Sequence, residues 1–160
     1  MTCIFVDADA CPVKNEIFRV AERHQLRVLV VSNGGLRPSQ HPLVETVIVP
    51  GVPDAADQWI SEQVRVGDIV ITTDIPLAAK CLASGARVVA QNGEIFTEAN
   101  IGNRLATRNL MEALRDADPL LKSGGKAKSF SKIDRSRFLQ ALEYQIISAS
   151  KTKAKKHGST

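Results

Sequence analysis

Two aspartates close the first apolar run of the sequence, in "CIFVDADACPVK". Asp7 and Asp9 are two residues apart, so an extended backbone points both side chains to the same face. Asp54 and Asp57 are three apart at a predicted helix start, which makes them neighbours on one helical face. Asp74 ends another apolar run, "DIVITTD". Carboxylates that share a cleft repel one another unless a cation neutralises them, and hard oxygen ligands suit Mg²⁺ or Mn²⁺ rather than zinc.

Each acid also has a purely structural interpretation. Asp9 equally suits the cap of the helix that follows it. Asp54 is a more natural cap than a ligand, and Asp57 is a first-turn acid of the kind that the helix dipole favours. Asp7 and Asp74 end buried strands, where we expect no capping role. We therefore predict that Asp7 and Asp74 are functional.

Strands and helices alternate through residue 90, which predicts an α/β fold: a three-layer sandwich with a mainly parallel central sheet. The strands are predicted at 2–7, 27–32, 44–49, 68–74 and 86–90, with a short strand or hairpin at 94–101. The helices are predicted at 12–25, 54–66, 75–85, 101–117 and 134–149, the last of them capped by Asp134. Ligands of such sheets bind beyond the carboxyl ends of the strands. Asp7, Ser32-Asn33 and Asp74 each follow a strand, so we expect them to converge at one edge.

The length of 160 residues is that of one domain, predicted over 1–150. The segment 122–132 is rich in Gly, Ser and Lys and is predicted to be a mobile loop, and 151–160 a basic, disordered tail. Because no apolar run approaches about 18 residues, no membrane span is expected. A carboxylate follows too soon after the first residue for a signal peptide, so we expect a cytoplasmic protein.

Charge is distributed unevenly along the chain. Residues 1–103 hold eight Lys and Arg against twelve Asp and Glu, whereas residues 104–160 hold thirteen against five. An acidic body with a basic C-terminal part suggests a cation held by carboxylates and a polyanion held by Lys and Arg. The three cysteines are odd in number and lack zinc spacing, which argues against a disulfide framework and a structural zinc site.

Five segments occur in order: "VDADACPVK", "PDAADQWI", "IVITTDIPLAAK", "QNGEIFT" and "FSKIDRSRF". Together they resemble the bacterial YaiI/YqxD family, whose members are mostly described as uncharacterised, and the resemblance spans residues 2–147. That family is placed with the PIN-like nuclease folds. The resemblance therefore implies a PIN-like sandwich that hydrolyses phosphodiesters of RNA or single-stranded nucleic acid with Mg²⁺ or Mn²⁺.

PIN-type nucleases gather acids from the first strand, from a helix and from a later strand. By position, Asp7 resembles the first-strand acid, Asp57 (with Asp54 beside it) the helix acid, and Asp74 the later-strand acid. Asp9 would be an additional carboxylate near the first. The resemblance thus implies Asp7, Asp57 and Asp74 as catalytic residues, and all five acids as metal ligands. A further acid that many PIN domains carry has no match here.

Basic residues of the C-terminal part are expected to bind the nucleic-acid backbone. The residues predicted for this role are Lys132, Arg135, Arg137, Arg104 and Arg108. Lys14 either contacts a phosphate or faces solvent. Phe130 either stacks on a base or anchors its loop in the core.

Two alternative functions remain open. The first strand also resembles that of haloacid-dehalogenase phosphatases, in which Asp7 would be the nucleophile, Asp9 the general acid and Ser32 the later-strand hydroxyl. Against this, Cys11 stands where Thr is usual, and the acids at 54 and 57 would have no role. The other alternative is a non-catalytic RNA-binding module on a PIN-like scaffold.

Overall fold

The computed structural model describes residues 2–8, 11–34, 39–52, 54–117 and 130–158. Asp9 and the part of the predicted mobile loop at 122–129 therefore lie outside the described residues. The strands are β1 Cys3–Asp7, β2 Arg27–Ser32, β3 Val44–Ile48, β4 Ile69–Ile71, β5 Arg87–Val89 and β6 Ile95–Phe96. The helices are α1 Lys14–His24, α2 Ala55–Gln63, α3 Ile75–Ala83, α4 Glu98–Ala117 and α5 Lys132–Gly158.

The six strands form one sheet in the order β3-β2-β1-β4-β5-β6. All neighbouring strands pair in parallel except β6, which runs antiparallel to β5. The chain builds outward from β1 through β2 to β3, and then crosses to β4 on the other side of β1. The crevice between β1 and β4 is therefore the topological switch point, where open α/β sheets bind ligands. The predicted α/β fold with a mainly parallel sheet is confirmed.

Helices cover both faces of this sheet. Alternate residues of β1 point to opposite faces, so Ile4 packs under α1 and α5 whereas Phe5 packs under α2 and α3. The first face buries Phe138, Leu142 and Ile146 of α5. Helix α4 packs against α3 rather than on the sheet and has no buried residue. Nowhere in the described chain is a helix both long and apolar enough to cross a membrane.

Several helix ends differ from the sequence prediction. Ser131, not Asp134, caps α5: Ser131 Oγ accepts the N–H of Asp134, and Asp134 Oδ2 accepts the N–H of Ser131. This reciprocal pair is a capping box, in which the acid is the third helical residue. Helix α5 continues to Gly158, where the sequence predicted a disordered tail from residue 151. Helix α4 starts at Glu98, three residues before the predicted 101, because β6 is only two residues long.

Candidate functional site

A cavity of about 770 Å³ opens at the carboxyl end of the sheet, over the switch point between β1 and β4. Four of the five aspartates singled out in the sequence line it: Asp7, Asp54, Asp57 and Asp74. The fifth, Asp9, lies outside the described residues. The strands and α2 therefore bring these four acids together, and for Asp7 and Asp74 the strand-end rule predicts this.

Asp7 and Asp74 are joined by a residue that the sequence analysis did not single out. Thr72 is fully buried directly after β4, and its Oγ1 donates a hydrogen bond to Asp7 Oδ2 over 3.0 Å. The same oxygen accepts the backbone N–H of Asp74, also over 3.0 Å. The backbone N–H of Thr72 donates to the carbonyl of Val89, which ties this segment to β5. The hydroxyl therefore fixes where the two acids stand relative to each other.

Asp74 has a capping role, contrary to the expectation that a strand-ending acid has none. It is the N-cap of α3, and its Oδ1 accepts the N–H of Leu77 over 3.0 Å. The prediction failed because β4 ends at Ile71 and leaves only Thr72 and Thr73 between the strand and the cap. Asp74 therefore both caps α3 and lines the acidic cavity.

Asp57 has a strongly perturbed pKa. Burial raises the pKa of Asp57 to about 7, and its hydrogen bond with Asp74 and the charges of Asp74, Asp7 and Asp54 act in the same direction. A carboxyl that shares a hydrogen bond with another carboxyl holds a proton in place of a cation. The four acids thus face one another closely enough for their charges to interact.

Asp54 occupies the N-cap position of α2, but its side chain makes no capping hydrogen bond. Its backbone is left-handed, with φ of 65°. Asp is one of the few non-glycine residues that adopt this region readily. The capping interpretation of Asp54 is therefore wrong for its side chain, which is exposed at the cavity wall.

Four further residues of the sequence analysis line the same cavity: Cys11, Lys14, Ser32 and Asn33. Ser32 Oγ is engaged with the backbone of Gly34, donating to its carbonyl and accepting its N–H at 3.1 Å, so this hydroxyl closes a turn. Lys14 is the first residue of α1 and is half-buried. Burial raises the pKa of the Cys11 thiol, which makes a reactive thiolate unfavourable.

The donor set suits a hard divalent cation, because it consists of carboxylate oxygens. Among the described residues, however, no three His, Cys, Asp or Glu side chains are arranged as a preformed metal-binding group. Asp57 and Asp74 hydrogen-bond to each other instead. A cation at this site would therefore have to displace that proton and draw the carboxylates together.

The basic residues predicted to bind nucleic acid fall on two helices and differ in their surroundings. Arg135 is partly exposed and is bonded to α1 and the segment before it: its guanidinium donates to the carbonyl of Pro12 over 3.1 Å and to Glu16 Oε1 over 2.9 Å. The guanidinium carbon also lies 5.0 Å from the centre of the Phe130 ring. Because Pro12 lines the acidic cavity, Arg135 places the first turn of α5 beside that cavity.

The other four residues are at least partly exposed. Lys132 and Arg137 lie on α5 with exposed side chains. On α4, Arg104 pairs with Glu94 and Arg108 pairs with Glu112 over 3.0 Å. Helix α5 packs on the sheet whereas α4 packs on α3, so the five residues do not form one helix surface. Both helices reach the β5–β6 turn, α4 through the Arg104–Glu94 pair and α5 through the backbone of Arg137 against Gly93.

Comparison with known proteins identifies relatives over nearly the whole chain. A family model described as "Uncharacterized BCR, YaiI/YqxD family" matches residues 5–148. A UPF0178 protein of Ruegeria pomeroyi is 66% identical over 149 residues, which are 93% of this chain and 96% of the relative. A UPF0178 protein of Roseobacter denitrificans is 60% identical over 149 residues, which are 93% of this chain and 97% of the relative. One of Parvibaculum lavamentivorans is 55% identical over 143 residues, which are 89% of this chain and 92% of the relative. These names state no activity, and no solved structure matches the chain.

Proposed function

The chain belongs to the YaiI/YqxD family, and we propose that it is a metal-dependent phosphodiesterase that cleaves RNA or single-stranded nucleic acid. The observation that carries this proposal is the convergence of Asp7, Asp57 and Asp74 in one cavity at the switch point of the sheet. Burial and mutual repulsion already perturb one of these carboxyls. Strongly perturbed acids that converge in a cleft are typical of active sites.

In the proposed mechanism, Asp7, Asp57 and Asp74 would hold one or more Mg²⁺ or Mn²⁺ ions. Such an ion would supply an acidified water for attack and positive charge against the phosphate oxygens. Thr72 holds Asp7 in place through its hydroxyl. Asp54 adds a negative charge at the exposed wall. Lys14 also lines the cavity, and its positive charge attracts the phosphate.

The proposal also includes binding of the nucleic-acid backbone by the basic C-terminal part. Lys132 and Arg137 are exposed on α5, whose first turn lies beside the acidic cavity. Arg104 and Arg108 extend the basic surface on α4, each with an acidic partner. Arg135 acts on this surface indirectly, by holding α5 against α1.

The test is cleavage of labelled RNA and single-stranded DNA in Mn²⁺ by the parent protein and by Asp7→Asn and Asp74→Asn. Asparagine keeps an oxygen that can accept the Leu77 N–H, so Asp74→Asn retains the cap of α3. Glu62→Gln, an exposed change on α2, is the matched control. We expect the two cavity variants to lose cleavage with an unchanged circular dichroism spectrum. Equal cleavage by the parent and both cavity variants would contradict the proposal.

Two further outcomes identify the alternatives. Beryllofluoride mimics a phosphoryl group on an aspartate, so an adduct at Asp7 would indicate a phosphatase with an aspartyl nucleophile. Ser32, the hydroxyl that this mechanism requires, already bonds to Gly34. Salt-sensitive RNA binding without cleavage would indicate an RNA-binding module.

A further inference from the structure

A second, smaller cavity lies directly beside the acidic one. It has a volume of about 250 Å³. Thr73 and Ile75 line it, whereas Asp74, the residue between them, lines the acidic cavity. Neighbouring residues of one short segment therefore line the two cavities. A nucleotide carries a phosphate at one end and a base at the other, the two kinds of group that these adjoining cavities suit.

The walls of the second cavity combine flat apolar groups with amides. Phe130 supplies a half-buried aromatic ring, Phe96 is a buried apolar residue of the wall, and Gln91 and Asn92 supply side-chain amides. Aromatic rings stack on nucleobases, and amides offer both donors and acceptors to the base edges. Pockets for drug-sized ligands span about 300 to 1,000 Å³, so this cavity suits one planar ring system.

Contacts outside the cavity hold its walls in place. The Arg135 guanidinium lies over the Phe130 ring. Asn92 Oδ1 accepts the N–H of Glu94 over 3.0 Å, and the Gly93 N–H donates to the carbonyl of Ala90, so the β5–β6 turn is closed by its own hydrogen bonds. A site held in shape before binding spends less free energy on ordering.

Gln91 differs from these wall residues. It is half-buried, and its side chain has no hydrogen bond or ion pair with any residue in the described ranges. A glutamine amide at the mouth of an aromatic-lined cavity is thus available to a ligand. Glu94, the acid of this cavity, is neutralised by Arg104, so its charge does not exclude an anionic substrate.

We propose that this second cavity binds the nucleobase of the nucleotide whose phosphate lies at the acidic cavity. This inference rests on the proposed phosphodiesterase function and specifies its substrate class as nucleotidyl phosphodiesters. Phe130 receives the base, and the Gln91 amide bonds to its edge. Phosphodiesters without a base gain nothing from this cavity.

The experiment compares two substrates that share a leaving group. Thymidine 5′-(p-nitrophenyl phosphate) carries a base, and methyl p-nitrophenyl phosphate does not. We expect kcat/KM of the parent protein in Mn²⁺ to favour the nucleotide substrate by about tenfold, the typical effect of stacking one base. Gln91→Ala should reduce this preference about fivefold, as loss of one hydrogen bond does, and leave kcat/KM for the methyl substrate unchanged.

Two more variants complete the set. Gln91→Trp, which fills the cavity, should abolish the preference. Gln63 is an exposed glutamine at the C-terminal end of α2, and Gln63→Ala should keep the preference for the nucleotide substrate. Equal kcat/KM for the two substrates in the parent protein would overturn the base site and leave the phosphodiesterase function intact.

A binding measurement separates this inference from the proposed function. Should neither substrate be hydrolysed, the side-chain amide signals of Gln91 and Asn92 are followed by NMR during titration with thymidine 5′-monophosphate and with deoxyribose 5-phosphate, in Mg²⁺. Shifts with the nucleotide alone would support the base site although the phosphodiesterase function had failed. Identical responses to both compounds would overturn the base site.

Discussion

Thr72 Oγ1 donates a hydrogen bond to Asp7 Oδ2 and accepts the backbone N–H of Asp74, each over 3.0 Å. The first bond crosses from the end of β4 to β1, where the strand order reverses, and the second stays within the segment that follows β4. One buried hydroxyl therefore sets the spacing between the acid that ends β1 and the acid that follows β4. Residues that hold metal-binding carboxylates in this way affect metal affinity although they do not touch the metal.

Thr72→Val should weaken both the fold and the site. It leaves the Asp74 N–H without its acceptor inside the protein, so we expect the free energy of unfolding to fall by about 1 to 3 kcal/mol. We expect Mn²⁺ affinity to fall about 10- to 100-fold. Urea unfolding measures the free energy of unfolding through the fluorescence of Trp59, whose ring centre lies 6.1 Å from that of Phe5. Calorimetric titration measures the Mn²⁺ affinity. Thr72→Ser should restore both, and the exposed change Thr73→Val should leave Mn²⁺ affinity unchanged.

Stability should fall as pH rises, because of Asp57. Its pKa is about 7 in the folded protein against 3.8 ordinarily, since it is buried and faces other carboxyls. The stability that protonated Asp57 contributes is complete below about pH 4 and is lost as pH rises through 7. Asp57→Asn should therefore raise the free energy of unfolding at pH 8 by about 1 kcal/mol, a value reduced by solvent screening at this open site.

Urea unfolding in EDTA at several pH values checks this prediction. The control Glu62→Gln, an exposed acid on the same helix, should keep the pH dependence of the parent. An Asp57→Asn protein whose stability depends on pH as steeply as that of the parent would show that another group is responsible.

Mn²⁺ should stabilise the protein through the same carboxylates. A ligand at 100 times its dissociation constant adds about 2.7 kcal/mol, which raises Tm by several degrees in a chain of this size. Asp7→Asn should reduce or remove the increase, because it takes away one charged ligand. Calorimetric melting with and without Mn²⁺ measures it. An equal increase in Asp7→Asn would place the bound metal elsewhere.

The sequence predicts the site better than the interactions that build it. Asp7 and Asp74 were predictable because parallel strands end at one edge, which makes a strand-ending acid informative. Thr72 was not, since a threonine beside an apolar strand is equally typical of strand propensity alone. The bonds of Arg135 depend on Pro12 and Glu16, more than a hundred residues earlier, and no local pattern encodes such a contact.

Two glycines should respond oppositely to alanine. Gly93 has φ of 92°, and a Cβ there would lie 2.6 Å from the backbone carbonyl carbon of Arg137, so Gly93→Ala should cost about 1 to 3 kcal/mol of stability. Gly102 lies in α4 with nothing within 4 Å of its Cβ position, so Gly102→Ala should add about 0.5 to 1 kcal/mol. Urea unfolding of both proteins measures the difference. Equal effects would contradict the packing of the β5–β6 turn on α5.

Arg135 and Arg137, two residues apart on α5, should have separable roles. Arg137 is exposed, so Arg137→Ala should weaken single-stranded RNA binding and reduce the slope of log K against log salt by about 0.7, the share of one phosphate contact. Arg135 bonds to Pro12 and Glu16, so Arg135→Ala should lower the free energy of unfolding by about 1 to 3 kcal/mol. Fluorescence anisotropy at several salt concentrations, in an Asp7→Asn background that prevents cleavage, gives the slopes. A reduced slope in Arg135→Ala with unchanged stability would reverse the two assignments.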